Sequence, residues 1–236
     1  MSLAAILVLG FLLGMRHATD ADHVVAVSTI VSRERSLRAT APLGLAWGVG
    51  HTATILVVGG AIVLFGVVIS PRMGLGMELS VAFMLVVLGG LSVRRFLRNG
   101  AAARRAHSHD AVTDAGATPR SSPDGLLRLL RPLVVGVVHG LAGSAAVALL
   151  VLGNVREPAT AIAYLLVFGI GTVAGMGLIT TALAAPLVLT RGRFERLNRL
   201  LGVTSGVVSV GLGFHVGYQI AFVHGLFSDA PQWTPQ

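Results

Sequence analysis

Apolar residues follow one another along this chain in long runs, without the alternation or the helical periodicity of a half-buried element. A helix needs about 20 such residues to cross a bilayer. Six runs reach that length, and they cover residues 3–31, 40–69, 75–97, 132–153, 158–189 and 200–227. The pattern predicts an all-α integral membrane protein with six transmembrane helices. Three runs are much longer than necessary, so we expect tilted or broken helices among them.

Composition agrees with this interpretation, and the charge distribution adds a direction. The chain is 54% hydrophobic and 12% charged, whereas a soluble domain is usually about 25% charged. All 18 basic residues are arginine, and most of them lie in the connections after the first, third and fifth runs. Because cytoplasmic loops are enriched in basic residues, we expect a multi-pass protein of the inner (cytoplasmic) membrane with both termini outside the cytoplasm. The net charge of +8 is therefore a topology signal and gives no case for a nucleic-acid partner.

The start of the first run resembles the apolar core of a signal peptide. No positive segment precedes it, and the apolar run resumes after a short polar interruption. Both features are unlike a cleaved signal. We therefore expect the first run to be retained as a membrane helix.

A polar segment divides the chain into two similar halves. Residues 99–128 are rich in alanine, serine, glycine and charge, which predicts a flexible cytoplasmic linker between residues 1–98 and residues 129–236. Short segments of the two halves align and pair Gly14 with Gly136, His17 with His139, Gly48 with Gly169, Gly50 with Gly171, and His51 with Thr172. Each half has three predicted spans, so the second half would be inverted relative to the first. The prediction is two inverted three-helix repeats, a plan found in secondary transporters.

The first run is interrupted by the segment GMRHATDADHV, residues 14–24. Ionisable side chains inside a membrane span are costly, and they indicate a functional site. On a straight helix Asp20 lies about 60° from both His17 and His23, so these three share a face. Asp22 points about 160° away from Asp20. Either Asp22 faces another partner, such as Arg16 or a second helix, or the helix breaks at the motif.

Imidazole and carboxylate ligands together suit divalent first-row metals such as nickel, cobalt, copper and zinc. The chain has no cysteine, so thiolate ligands are excluded. The second span offers His51, which follows Gly48 and Gly50, two glycines that allow close helix approach. The predicted ligands are His17, Asp20, Asp22, His23 and His51, and possible second-half contributors are His139, Thr172 and His215. The alternative is a buried polar network that only stabilises the helix bundle.

The remaining ionisable residues give weaker signals. His107 and His109 lie in the predicted linker and are most simply solvated. His224 is predicted at the membrane interface. Glu78, near the start of the third run, is interpreted as a charge at a helix N-terminus.

The two polar segments resemble the nickel/cobalt transporter family. RHATDADH, Arg16 to His23, is similar to the family's first signature, and LGLAWGVGHT, Leu43 to Thr52, is similar to its second. Trp47 and Gly48 stand where phenylalanine and serine are usual. The resemblance implies transport of Ni2+ or Co2+, with the ion bound through the first motif. It also implies a compact six-span branch associated with urease or hydrogenase maturation, because the acidic second-half motif of larger members is absent.

These observations favour a secondary transporter of divalent transition-metal ions, most simply Ni2+ or Co2+, with uptake favoured over efflux. The chain has no nucleotide-binding motif, so the ion gradient, the membrane potential or proton exchange would drive transport. The expected partners are the ion and the lipid bilayer, with no resident cofactor. One alternative is an accessory membrane protein that delivers metal to metalloenzyme maturation proteins. Another is an intramembrane metallohydrolase, although the chain lacks an HExxH motif.

Overall fold

The protein is helical throughout the part described by this computed structural model, which comprises residues 2–32, 36–106, 125–154, 157–189 and 195–233. The helices are α1 Leu3–His17, α2 Ala21–Val31, α3 Leu37–Phe65, α4 Pro71–Ala106, α5 Gly125–Asn154, α6 Pro158–Leu189 and α7 Glu195–Tyr218. A short π-helix, Gln219–Val223, continues α7. No strand occurs within these residues, so the predicted all-α class is confirmed.

Within the described residues, four helical segments are long and apolar enough to cross a membrane, namely Leu37–Phe65, Pro71–Arg98, Pro158–Pro186 and Arg199–Val223. The pair α1 and α2 passes the same test as one bent span, which gives up to five. Large apolar side chains such as Val57, Phe83 and Phe222 are at least 70% exposed. This is the arrangement expected of helices that face lipid. The chain is therefore a multi-pass membrane protein.

The fourth predicted span, residues 132–153, coincides with α5, whose side chains from 143 to 154 lie outside the description. The number of six spans thus stays a prediction. Helix α4 continues to Ala106 and α5 begins at Gly125, so both ends of the predicted linker are helical. Its middle, residues 107–124 with His107 and His109, lies outside the described residues.

The first run is broken at its polar motif. Helices α1 and α2 meet at 55°, and Asp20 between them has an extended backbone with φ −61° and ψ 147°. The Thr19 hydroxyl and amide both donate to the Arg16 carbonyl, at 2.6 and 2.8 Å. These bonds satisfy a carbonyl that the break removes from the helix ladder, as a membrane interior requires. The expected break of an overlong run is confirmed here.

The four most extensive contacts between helices are matched across the two halves of the chain. Helix α1 packs on α6 and α5 packs on α3, α3 and α6 pack on each other, and α4 packs on α7. Between α4 and α7 the Ser209 hydroxyl donates to the Leu85 carbonyl at 2.8 Å. If α1, α3 and α4 are exchanged with α5, α6 and α7 respectively, the same four helix pairs result.

The closest backbone approaches occur at glycines in the same matched pattern. A Cβ at Gly14 would collide with the carbonyl oxygen of Phe168, and a Cβ at Gly136 would collide with that of Trp47. The same matching holds for Gly171 against Phe11 and for Gly50 against Leu133. Small residues let membrane helices pack through their backbones.

Gly136→Ala should destabilise the protein because the new methyl group has no space beside the Trp47 carbonyl. Overpacking of this kind costs about 1–3 kcal/mol. The thermal unfolding midpoint in detergent should fall. Gly90→Ala is the matched control, because nothing lies within 4 Å of a Cβ built there. Equal midpoints for the two variants would show that the glycine contact does not limit stability.

Candidate metal centre

Four histidines from four helices meet in the interior. They are His17 of α1, His23 of α2, His51 of α3 and His139 of α5. The ring centroids of His23 and His139 are 4.1 Å apart, and His23 lies 4.7 Å from His17 and 5.1 Å from His51. The residues His23, His51 and His139 are at most 2% exposed. His23 is therefore the central imidazole of the group.

The break between α1 and α2 turns Asp22 into this group. Its Oδ1 accepts from the backbone N–H of His23 at 2.9 Å and from Nδ1 of His23 at 3.1 Å. Its Oδ2 accepts from Nε2 of His139 at 2.9 Å. Both alternatives left open by the straight-helix argument thus apply, since the helix breaks and Asp22 faces another helix. Arg16 is exposed and is not the partner of Asp22.

Asp20 holds the second carboxylate contact. The Nδ1 of His17 donates to Oδ2 of Asp20 at 2.7 Å, and Nε2 of His17 lies 3.0 Å from Nε2 of His51. The side chain of Asp20 is 51% exposed and that of Asp22 is 38% exposed. The carboxylates are therefore the accessible part of the cluster, and the imidazoles are its buried part.

Among the described residues, three buried ring nitrogens of the cluster have no hydrogen-bond partner, namely His23 Nε2, His51 Nδ1 and His139 Nδ1. Because a carboxylate only accepts, a neutral His23 or His139 carries its proton on the nitrogen facing Asp22 and keeps a lone pair on the other. A lone pair buried without a partner is costly. These nitrogens are available as metal ligands.

The donors form two overlapping sets that could each hold a metal ion. His17, His23 and His51 make one set, and Asp22, His23 and His139 make the other, with the candidate ligand atoms of each set within 4.8 Å of one another. Two nitrogens bound to one ion at about 2.0–2.1 Å lie roughly 3.0–3.4 Å apart. The Nε2 atoms of His17 and His51, which share a hydrogen bond, are 3.0 Å apart, close to this value. An ion bound by both atoms would replace the proton between them.

The cluster lies against a cavity of about 440 Å³. Its polar lining consists of the four histidines with Asp20, Asp22 and Glu78, and its apolar lining includes Val81, Leu212 and Val216. Aromatic rings cover the imidazoles from both halves. Trp47 stacks on His23 at 5.9 Å and Phe168 contacts His17 at 5.7 Å.

The structure brings together all five predicted ligands but only one of the three possible second-half contributors. His139 belongs to the cluster. The hydroxyl of Thr172 donates to the Phe168 carbonyl at 2.9 Å, because the small side chain bonds within its own helix. His215 is exposed on α7 and belongs to neither donor set.

Sequence reasoning gave Glu78 the wrong role and underestimated His139. Helix α4 begins at Pro71, so Glu78 lies beyond the first turn and lines the cavity instead of capping the helix. The alignment of His17 with His139 was the sequence signal that pointed to His139. No local pattern distinguished Glu78.

These features define a multi-pass helical membrane protein with a cluster of buried histidines and partly exposed aspartates. The model of the family described as high-affinity nickel-transport protein (NicO) matches residues 3–193. The chain therefore belongs to this family. The resemblance of its two polar motifs to nickel/cobalt transporters is confirmed, and the match extends well beyond the first two spans.

Relatives of known description support this assignment. The chain is 35% identical over 225 residues to the urease accessory protein UreH of Bacillus sp. (strain TB-90), covering 95% of this chain and 96% of that protein. It is 25% identical over 215 residues to the Chloroplast protein FOR GROWTH AND FERTILITY 1 of Arabidopsis thaliana, covering 88% of this chain and 57% of the plant protein. No solved structure matches the chain significantly.

Asp22→Ala should destabilise the metal-free protein, because it leaves Nε2 of His139 buried without its acceptor. The expected cost is about 1–3 kcal/mol, seen as a lower unfolding midpoint in detergent with chelator present. Asp20→Ala is the control, since Asp20 is half exposed and contacts only the preceding turn. If the Asp20 variant lost as much stability, the link between α2 and α5 would not be the decisive contact.

Proposed function

We propose that this protein is a secondary transporter that carries Ni2+, Co2+ or both across the inner membrane, with uptake favoured over efflux. The observation that carries the proposal is the pair of donor sets that share the buried His23. Imidazoles and carboxylates suit these ions, whereas Mg2+ and Ca2+ prefer oxygen ligands alone. The proposed ligands are His17, Asp20, Asp22, His23 and His51, with His139 added from the second half.

The two donor sets suggest how an ion could change its attachment. One set comes from α1, α2 and α3 of the first half, and the other joins α2 to α5 of the second half. An ion could exchange His17 and His51 for Asp22 and His139 while remaining on His23. A relative movement of the halves would then change which set is available.

The matched packing of the halves supports an inverted-repeat transporter. In such proteins the substrate site lies near the membrane midplane, between repeats that rock against each other. The close contacts of Gly14 and Gly136 occupy corresponding positions in the two halves. We propose the same plan for this chain, with both termini outside the cytoplasm, as its arginine distribution predicts.

The membrane potential favours uptake of a dication. One elementary charge gains about 2.3 kcal/mol per 100 mV, so a dication entering a negative interior gains about 4.6 kcal/mol. The same potential opposes export. This asymmetry is the reason for favouring uptake.

A second candidate is an accessory protein that binds nickel at the membrane and passes it to a maturation protein. The urease accessory protein UreH, 35% identical to this chain, favours it by its description. Such a protein would bind metal in the same cluster and carry none across.

Purified protein in liposomes should take up Ni2+ or Co2+ under an inside-negative potential, measured with a radioactive ion against a panel of dications. The uptake should rise with the imposed potential, because the ion carries two charges into the vesicle. His23→Ala, reconstituted at the same density, is the control for leakage. Saturable binding without any uptake would favour the accessory protein.

Removing His23 should weaken Ni2+ binding more than removing His51 or His139, because His23 belongs to both donor sets. The His51 and His139 variants should each lose about tenfold in affinity for Ni2+, by comparison with perturbed metal sites. The His23 variant should lose at least about 100-fold on the same comparison. Equilibrium dialysis of the detergent-solubilised protein measures these values. His215→Ala, which lies outside both sets, should bind like the unmodified protein. Equal losses for all three cluster variants would argue for a single site.

A further inference from the structure

A third acidic residue, Glu78, lines the cavity beside the two aspartates. It belongs to neither donor set. It lies in membrane helix α4, is half-buried, and lines the same cavity as the four histidines. Among the described residues, the other carboxylates of this lining are Asp20 and Asp22. A carboxylate inside a membrane span is expensive, and such residues mark ion pathways.

The C-terminal segment holds Glu78 in place. The indole Nε1 of Trp233 donates to Oε1 of Glu78 at 2.8 Å. The same indole ring lies against Gly74, one turn earlier in α4, where a Cβ would collide with it. The chain before Trp233 is also fixed, since Arg72 donates to the Ser228 carbonyl at 3.2 Å. The hydrogen bond from Trp233 orients the Glu78 carboxylate and uses only one of its two oxygens.

The carboxylates that line the cavity are more exposed than its imidazoles. The Asp20 and Asp22 side chains are 51% and 38% exposed, and Glu78 is half-buried, whereas His23, His51 and His139 are at most 2% exposed. A carboxylate attracts a hydrated dication over several ångströms, more strongly in a low-dielectric cavity than in water. An imidazole coordinates the ion directly, so it must first displace a water molecule from the ion.

We propose that Glu78 is an ion-contacting residue of the access path, where a divalent cation is held before it reaches the buried imidazoles. Trp233 is a positioning residue that acts by orienting this carboxylate. The inference rests on the proposed function for the identity of the ion. It concerns the approach of the ion and not its final coordination.

The test measures the rate at which Ni2+ binds to the full-length protein in detergent. Binding is followed in a stopped-flow instrument by the quenching of tryptophan fluorescence, for which Trp47 on His23 is a suitable reporter. Glu78→Gln keeps an oxygen acceptor for Trp233 but removes the charge. It should lower the association rate constant about tenfold at low salt, the lower end of electrostatic steering, and change the dissociation rate constant little. Glu78→Asp should restore most of the rate.

Glu157→Gln is the matched control. Glu157 is an exposed carboxylate that directly precedes α6 and does not line the cavity. This variant should bind Ni2+ at the unmodified rate. The proposal is overturned if Glu78→Gln binds at the unmodified rate, or if it loses equilibrium binding altogether, which would make Glu78 a structural residue.

Trp233→Phe tests the positioning role. It should slow association in the same sense as Glu78→Gln but less, and it should add nothing when combined with Glu78→Gln. An equal effect in both backgrounds would overturn the role of Trp233.

The outcome for Glu78 is separable from the outcome for transport. If the protein binds Ni2+ but moves none into liposomes, transport fails and the rate measurement still decides the role of Glu78. If the unmodified protein binds no Ni2+, the ligand assignment fails and this inference fails with it. If transport is observed and Glu78→Gln associates normally, only the inference on Glu78 is lost.

Discussion

The carboxylate of Asp22 is the group on which the candidate site depends. It lies just after a break in the first membrane run, and its two oxygens contact His23 of its own helix and His139 of α5. A charge within a membrane protein has a high desolvation cost unless it is paired. The contact therefore fixes α2 against α5, and it fixes the position of His23, which both donor sets share.

Close backbone packing makes this convergence possible. Besides the contacts of Gly14 and Gly136, a Cβ at Gly140 would lie 2.6 Å from the carbonyl oxygen of His51. Gly140 therefore lets α5 approach α3 at the level of the imidazoles. Without large side chains between the backbones, histidines from four helices reach a common volume.

The packing of the two halves is matched, but their chemistry is not. Phe168 lies 5.7 Å from His17, and its counterpart Trp47 lies 5.7 Å from His139. Both aspartates, His23 and His51 come from the first half alone. If the halves rock as proposed, the ion would stay with the first half and exchange ligands with the second. Unequal chemistry on matched packing is consistent with either a carrier or a membrane metal-delivery protein of the same family.

The membrane class, the five ligand candidates and the family can be read from the amino-acid sequence, because they follow from run length and from motifs that are local in the chain. Run length also indicated tilted or broken helices among the three overlong runs, without choosing which run would break. The sequence left the direction of Asp22 open, since helical geometry alone cannot choose between a break and a distant partner. Helix packing brings His139 into the cluster, leaves Thr172 and His215 outside it, and places Glu78 at the cavity. These outcomes depend on contacts between residues more than 100 positions apart, as between Asp22 and His139 or Glu78 and Trp233. Such contacts arise from helix packing, which no local pattern specifies.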